Sequence, residues 1–244
     1  MNRAAATASR LPRAEVVERR DVTRELFVLR LRPEIPFGFA PGQYCTIGVD
    51  GTERPYSIVS APHEPCLELF VEVVPHGDLT PKLRSLGAGD VVSLRPRAKG
   101  VFTLERGAAS HLMVATVTGI APFVSMLRDA VHRGGPTARF FILHGASYHD
   151  ELVYRDELES LAARHPEKIA YVPTVSRPTD DRNRAWRGAT GRVNTLVEEH
   201  VERLALTPAD TAVYACGHPG MIEDVARRLA SRSFTVREER YWTE

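Results

Sequence analysis

The strongest constraint on the fold is a change of rhythm near residue 107. Before it, short runs rich in Val, Ile, Leu and aromatics are punctuated by Pro, Gly and Asp. After it, apolar runs alternate with stretches of helical length. The first pattern predicts strands at Ala14–Val22, Glu25–Arg32, Gln43–Val49, Arg54–Ser60, Leu67–Val74 and Val91–Arg95. Strands at this spacing suit a closed antiparallel barrel. One helix, from about Leu79 to Leu86, interrupts them, with Thr80 as its N-cap and Pro81 at its first position.

The second pattern predicts strands at Leu112–Thr116, Arg139–His144, Ile169–Val175 and Ala212–Cys216. Helices are expected at Ala121–Arg133, Glu151–Arg164, Val193–Arg203 and Pro219–Ser231. Such alternation implies parallel strands joined by right-handed helical crossovers. Ser176–Gly191 is polar and aperiodic and reads as a long loop, and Arg237–Glu244 as a charged end carrying two aromatics. The expected architecture is therefore a β-barrel domain over residues 1–107 and a parallel-sheet, Rossmann-like domain over 108–244.

Composition removes several function classes. With 32 basic and 31 acidic residues the formal charge is +1, which argues against bulk binding of nucleic acid. A local basic cluster remains at Lys82, Arg84, Arg95, Arg97 and Lys99. Cys45, Cys66 and Cys216 lie far apart and make neither a disulfide framework nor a zinc or iron–sulfur ligand set. No metal site is expected. The first ten residues lack the apolar core of a signal peptide, and no apolar run has membrane-spanning length. A cytoplasmic monomer without a membrane partner is the expectation.

Five stretches carry chemistry. In Arg54-Pro55-Tyr56-Ser57, Arg54 and Tyr56 share one side of a strand and offer a fork of donors and a stackable ring. Taken alone, this is equally an ordinary barrel strand. Gly77-Asp78-Leu79-Thr80 opens the one helix of the first half. Met113–Phe123 runs from a strand through small residues into a helix, where backbone N–H groups can hold a pyrophosphate. Glycine there also serves packing. Cys216 ends a strand in Tyr214-Ala-Cys-Gly-His-Pro-Gly-Met221, as a ligand-facing thiol or a buried structural one. The aromatic pair Tyr241-Trp242 needs a surface, either a core or a flat cofactor.

In this order the motifs resemble the ferredoxin–NADP reductase family in its bacterial form. Phe39-Ala-Pro-Gly-Gln-Tyr44 and Thr190-Gly-Arg192 belong to the same resemblance, which spans nearly all of the chain after residue 14. Each motif is weak alone; five in the family's order are specific. The cysteine-rich ferredoxin domain of many oxygenase reductases is lacking. The resemblance implies an FAD enzyme that exchanges hydride between NADP(H) and flavin N5, and single electrons with ferredoxin or flavodoxin.

Residue by residue, it implies that Arg54 holds the FAD pyrophosphate, Tyr56 lies against the isoalloxazine beside Pro55, and Ser57 sits near N5. Phe70 and Thr118 line the flavin, and Gly77, Asp78, Leu79 and Thr80 bind its pyrophosphate. Tyr241 stacks near the isoalloxazine and gates the nicotinamide, Trp242 lies near the adenine, and Glu239 relays protons. Cys216 borders the nicotinamide. Arg177 and Arg192 match positions for the NADP 2′-phosphate, and Thr116, Ala146, Ser147, Ser176, His218, Pro219, Gly220 and Asp224 complete that site.

Three departures qualify the resemblance. Val117 stands where the family has glycine, and a β-branched residue disfavours positive φ, so the loop is expected to change shape or to bind the dinucleotide loosely. Ser147 replaces an arginine of many bacterial relatives, and Thr243-Glu244 follow the aromatic pair. Alternative expectations are an oxygenase reductase component, a general NAD(P)H flavin reductase, or a flavoprotein sensor in which Val117 abolishes dinucleotide binding.

Overall fold

The computed structural model describes residues 11–240. Six antiparallel strands come first: β1 (Arg13–Asp21), β2 (Leu26–Pro33), β3 (Tyr44–Val49), β4 (Thr52–Ser57), β5 (Leu67–Glu72) and β6 (Val91–Leu94). They lie in the order β4-β3-β6-β1-β2-β5. The two edges meet where Ile58 bridges Leu69 and Val59 N–H donates to Glu68 O at 2.8 Å, so the sheet closes. Alternation turns Val16, Phe27, Leu29, Leu31, Ile47 and Leu69 inward to a fully buried core.

The short helix α1 (Thr80–Ser85) adds buried Leu83 to that core. Its cap differs from expectation by one residue. Leu79 is the N-cap and makes no side-chain cap bond. The Thr80 hydroxyl instead accepts from Val74 N–H at 2.8 Å and donates to Val74 O at 3.3 Å. A local side-chain to backbone bond has out-competed the cap.

The second half contains β7 (Ser110–Thr116), α2 (Ala121–His132), β8 (Arg139–Ala146), α3 (Arg155–Arg164), β9 (Ile169–Val175) and β10 (Ala189–Thr190). It continues with α4 (Val197–Arg203), β11 (Thr211–Gly217), α5 (Pro219–Ala230) and β12 (Val236–Arg240). All six strands are parallel, in the order β10-β9-β8-β7-β11-β12. Apolar residues of α2 and α3 share one cluster with Met113, Ala115 and Ile142, while α4 and α5 share another with Leu112, Val114 and Leu143. Covering both faces explains why β7 and β8 read as continuous apolar runs.

Three expectations need correction. The stretch Ser176–Gly191 is not wholly loop, since β10 pairs with Thr174 and Val175. The charged end holds a strand, β12, registered from Val213↔Val236 to Gly217↔Arg240. Residues 149–151 form a separate short turn, so α3 begins at Arg155 rather than Glu151.

The halves share a core. Leu26, Val28, Val59, Phe70 and Phe102 of the barrel pack in the α2–α3 cluster. Polar contacts reinforce this seam. Ser125 Oγ donates to Ser60 O at 2.7 Å, and Tyr154 OH donates to Glu68 at 3.0 Å. Arg128 donates to Glu157 at 2.7 and 2.8 Å and reaches Glu64 and Glu68 at 3.4 Å. Burial opposes the Arg128 charge, but the three carboxylates outweigh it and raise its pKa. Packing and ion pairing together set the spacing of whatever lies between the halves.

Candidate active site

A cleft of about 610 Å³ lies where β4 and β5 meet the carboxyl edge of the parallel sheet. Its walls include Arg54, Pro55, Tyr56, Ser57, Phe70, Gly77, Asp78, Leu79, Thr80 and Thr118, every expected flavin-site residue that the structure describes. Tyr241 and Trp242 lie outside the described residues. Strand alternation puts Arg54 and Tyr56 on the cleft side while Ser57 ends the strand, 6% exposed. The Arg54 side chain is 57% exposed, with Nη2 3.9 Å from Asp78 Oδ2, a pairing loose enough to yield to a phosphate. Burial raises the Tyr56 hydroxyl pKa in spite of Arg54 beside it, so the ring is neutral.

A hydrogen bond crosses the cleft. Ser57 Oγ, from the barrel, donates to Glu239 Oε2, from β12, at 3.4 Å. Burial lifts the Glu239 pKa to about 7, with the Ser57 bond opposing the shift. In β-sheet register Glu239 lies beside Cys216, which in turn lies beside Ala115. A carboxyl that titrates near neutrality, hydrogen-bonded to a hydroxyl in a cleft, can hold and release a proton.

The expected dinucleotide residues gather at the ends of the parallel strands. Thr116 ends β7, Ala146 ends β8, Ser176 follows β9, Arg192 follows β10 and Cys216 lies near the end of β11. Three bonds tie some of them to one another, and others are held by neighbouring residues. Thr116 Oγ1 accepts from His218 N–H at 2.8 Å, and Ser176 N–H donates to Ala146 O at 2.9 Å. Gly220 N–H donates to His218 Nδ1 at 3.1 Å, capping α5 just before Pro219. Ser147 and Tyr148 N–H both donate to Glu151 Oε2 at 3.0 Å. Arg177 donates to the Tyr148 hydroxyl at 2.8 Å, while Arg192 is exposed. Asp224 accepts from Asn194 at 2.6 Å and Arg228 at 2.5 Å; burial opposes its charge, yet these bonds hold its pKa low.

Glycine earns its place where these ends cross. A Cβ on Gly119 would lie 2.1 Å from Cys216 O, and one on Gly217 would lie 2.3 Å from Thr116 Oγ1. Val117 keeps a left-handed backbone, φ 43°, so the loop retains the form a glycine would take despite its β-branched side chain.

The chain matches the oxidoreductase FAD-binding domain family over residues 13–102 and the oxidoreductase NAD-binding domain family over 113–227. It is 32% identical over 237 residues to ferredoxin–NADP reductase A of Sorangium cellulosum, covering 90% of this chain and 82% of that protein. The chain belongs to the ferredoxin–NADP reductase family. A flavodoxin/ferredoxin–NADP reductase of Escherichia coli is 33% identical over 216 residues, 83% of each chain. The fold is that of a ferredoxin NADP+ reductase from Neisseria gonorrhoeae crystallised with FAD and NADP, at TM-score 0.82 and 24% identity, covering 96% of this chain and 100% of that one.

Members of the ferredoxin–NADP reductase family are FAD- and NADP(H)-dependent oxidoreductases, and the cleft fits that chemistry. Its volume is in the usual range for a cofactor, roughly 300–1,000 Å³. An apolar side chain at Phe70, an aromatic ring at Tyr56 and the exposed fork of Arg54 match a planar group joined to a pyrophosphate. Tyr44, Glu72, Val74, Ala121 and Arg240 also line the cleft and were missed. Glu72 follows Phe70 by two positions on β5 and shares its face, a spacing that could have revealed it. Lost hydration raises the Glu72 pKa, helped by Glu151 and Glu25 and opposed by His218.

Proposed function

We propose that the chain is a ferredoxin/flavodoxin–NADP(+) reductase. Bound FAD would supply the conversion between two-electron hydride exchange with NADP(H) and single-electron exchange with the protein partner. Arg54 binds the FAD pyrophosphate, Tyr56 orients the ring system, and Phe70 and Thr118 exclude water from it. Ser57 and Glu239 hold a proton at the junction of the two cofactor sites. Their hydrogen bond across the cleft is the observation that carries this reading. Cys216, fully buried behind that junction, shapes the nicotinamide side, and Arg177 and Arg192 take the 2′-phosphate. Tyr241 gates nicotinamide entry, so truncation before it alters NADPH oxidation and the NADPH/NADH preference.

Partner docking uses less of the basic cluster than its composition suggests. Lys82 pairs with Asp50 at 3.1 Å, Arg84 with Asp21 at 3.7 Å and Arg95 with Glu53 at 2.6 Å. Arg97 and Lys99 are exposed, Lys99 paired through its backbone with Tyr44 of the cleft, and would steer an acidic partner. Action as a cytoplasmic monomer and the division into domains at residue 107 belong to the same proposal. Among the described residues, no helix is long and apolar enough to cross a membrane.

The deciding experiment mixes the purified, FAD-loaded protein anaerobically with NADPH, then with reduced or oxidised ferredoxin, flavodoxin and free flavin separately. Rapid bleaching by NADPH and electron exchange with ferredoxin or flavodoxin are expected. Transfer to free flavin alone would make it a flavin reductase, and absence of bleaching would leave a flavoprotein sensor.

A further inference from the structure

Val117 is a β-branched residue at φ 43° immediately after β7. Such a backbone persists only where its surroundings over-determine it. Two contacts do so. The isopropyl group packs between the α2–α3 cluster and the small cluster of Ala146, Leu152 and Val175. The carbonyl meets His144 Nε2 at 3.1 Å.

That second contact is built. His144 on β8 is fully buried, and its Nδ1 lies 3.0 Å from the Tyr171 hydroxyl on β9. A carbonyl can only accept, so Nε2 carries the hydrogen and Nδ1 accepts from Tyr171. Burial also holds the His144 pKa down, to about 4, so the ring is neutral and suited to one donation and one acceptance.

The clamped residue is the pivot of the site. Thr116 before it accepts the His218 N–H, Thr118 after it lines the flavin cleft, and Gly119 lies against the Cys216 carbonyl. Rotation at Val117 would therefore displace the nicotinamide and flavin walls together. We propose that His144, its tautomer fixed by Tyr171, is a positioning residue that holds Val117 in the left-handed form and thereby sets the dinucleotide-binding edge. The proposal rests on the reading that this edge takes NADP(H).

The test is a double-mutant cycle on the FAD-loaded protein. The variants are His144→Leu, His144→Gln and Tyr171→Phe, each made with Val117 and with Val117→Gly. Two quantities are read: KM against kcat for NADPH oxidation with ferricyanide, and the thermal unfolding midpoint. With Val117 present, His144→Leu should raise the NADPH KM roughly tenfold at nearly constant kcat and lower the midpoint by about 2–4 °C. His144→Gln, which keeps a donor, should recover most of the loss, and Tyr171→Phe should show a smaller loss of the same kind. In the Val117→Gly background the KM effects should largely vanish and the midpoint losses should shrink to what the unpaired carbonyl and hydroxyl cost, because glycine takes positive φ unaided.

Equal losses in the two backgrounds overturn the clamp, as does an unchanged KM in His144→Leu. Should His144→Leu not fold, His144→Gln and Tyr171→Phe carry the same comparison. If NADPH fails to reduce the unaltered protein, the functional reading falls, and the unfolding midpoints alone still decide the clamp: coupling between positions 144 and 117 supports it and additivity removes it.

Discussion

The barrel wall of the cleft and the strand ends of the parallel sheet beyond it are built on opposite plans. On the barrel side, Arg54 and Asp78 stand 57% and 78% exposed, barely in contact with each other. On the parallel-sheet side, Thr116, His218, Ser147, Arg177 and Asp224 all have partners within the protein. The first wall presents donors and a ring that a ligand can take up with little rearrangement. The second is a network that fixes strand ends relative to one another, and a ligand must extend or displace its bonds. Affinity is thus expected to reside in single side chains on the flavin wall and to be shared among many on the other.

The largest single-residue effect should therefore come from the barrel side. Arg54→Ala removes an exposed fork whose charge-assisted bonds to a pyrophosphate are worth about 1.5–3 kcal/mol, a roughly 10- to 150-fold loss in affinity. Titration of the apoprotein with FAD, followed by fluorescence quenching, measures it; a loss below about threefold would mean that the flavin wall is as distributed as its neighbour. On the opposite wall Arg177→Ala should raise the KM for NADPH about tenfold and leave that for NADH nearly unchanged, since Arg192 still supplies one cation. Equal effects on both nucleotides would remove Arg177 from the 2′-phosphate site.

The same contrast governs what the sequence could disclose. The flavin wall was legible because its residues lie within short contiguous motifs, and strand alternation alone assigns Arg54 and Tyr56 to one face. The alternation of strands and helices likewise fixed the parallel sheet. Bonds between distant segments left no such trace: Glu239 beneath Ser57 joins positions 182 residues apart, and His144 clamps Val117 across 27. β12 was hidden because its charged sequence, Val-Arg-Glu-Glu-Arg, pairs as an edge strand through backbone bonds to β11 alone. Thr80 misled for a related reason. Its position next to Pro81 suits a cap, but Val74, six residues earlier, offers both a donor and an acceptor.

Glu239 joins the two walls, and its effect should be smaller and dependent on pH. Its carboxyl pKa is raised by burial to about 7 from an ordinary value of 4.5, so the folded state holds the proton more tightly than the unfolded chain. Its contribution to stability is therefore fully present below pH 4.5 and is lost as pH rises through 7. Glu239→Gln mimics the protonated form. Its unfolding midpoint should match that of the parent protein near pH 4 and exceed it by several degrees near pH 8. If Glu239 also relays a proton, the inflection of the NADPH oxidation rate near neutrality should disappear in the same variant. A constant midpoint difference across this range would show that Glu239 is hydrated and that the two walls are not joined through it.

The smallest effect separates a ligand contact from a support within the flavin wall itself. Thr80 lines the cleft, yet its hydroxyl is engaged at both ends by Val74 backbone groups. Thr80→Val keeps the shape and removes these bonds, leaving one N–H and one carbonyl for water to satisfy, at a cost of about 0.5–1.5 kcal/mol. Denaturant unfolding of the apoprotein should register that cost, while FAD affinity falls less than threefold, because the hydroxyl has little capacity left for a phosphate. A large loss of FAD affinity with unchanged stability would reverse the assignment: the hydroxyl would turn from Val74 to the ligand on binding, and the flavin wall, like its neighbour, would have to exchange internal bonds to bind.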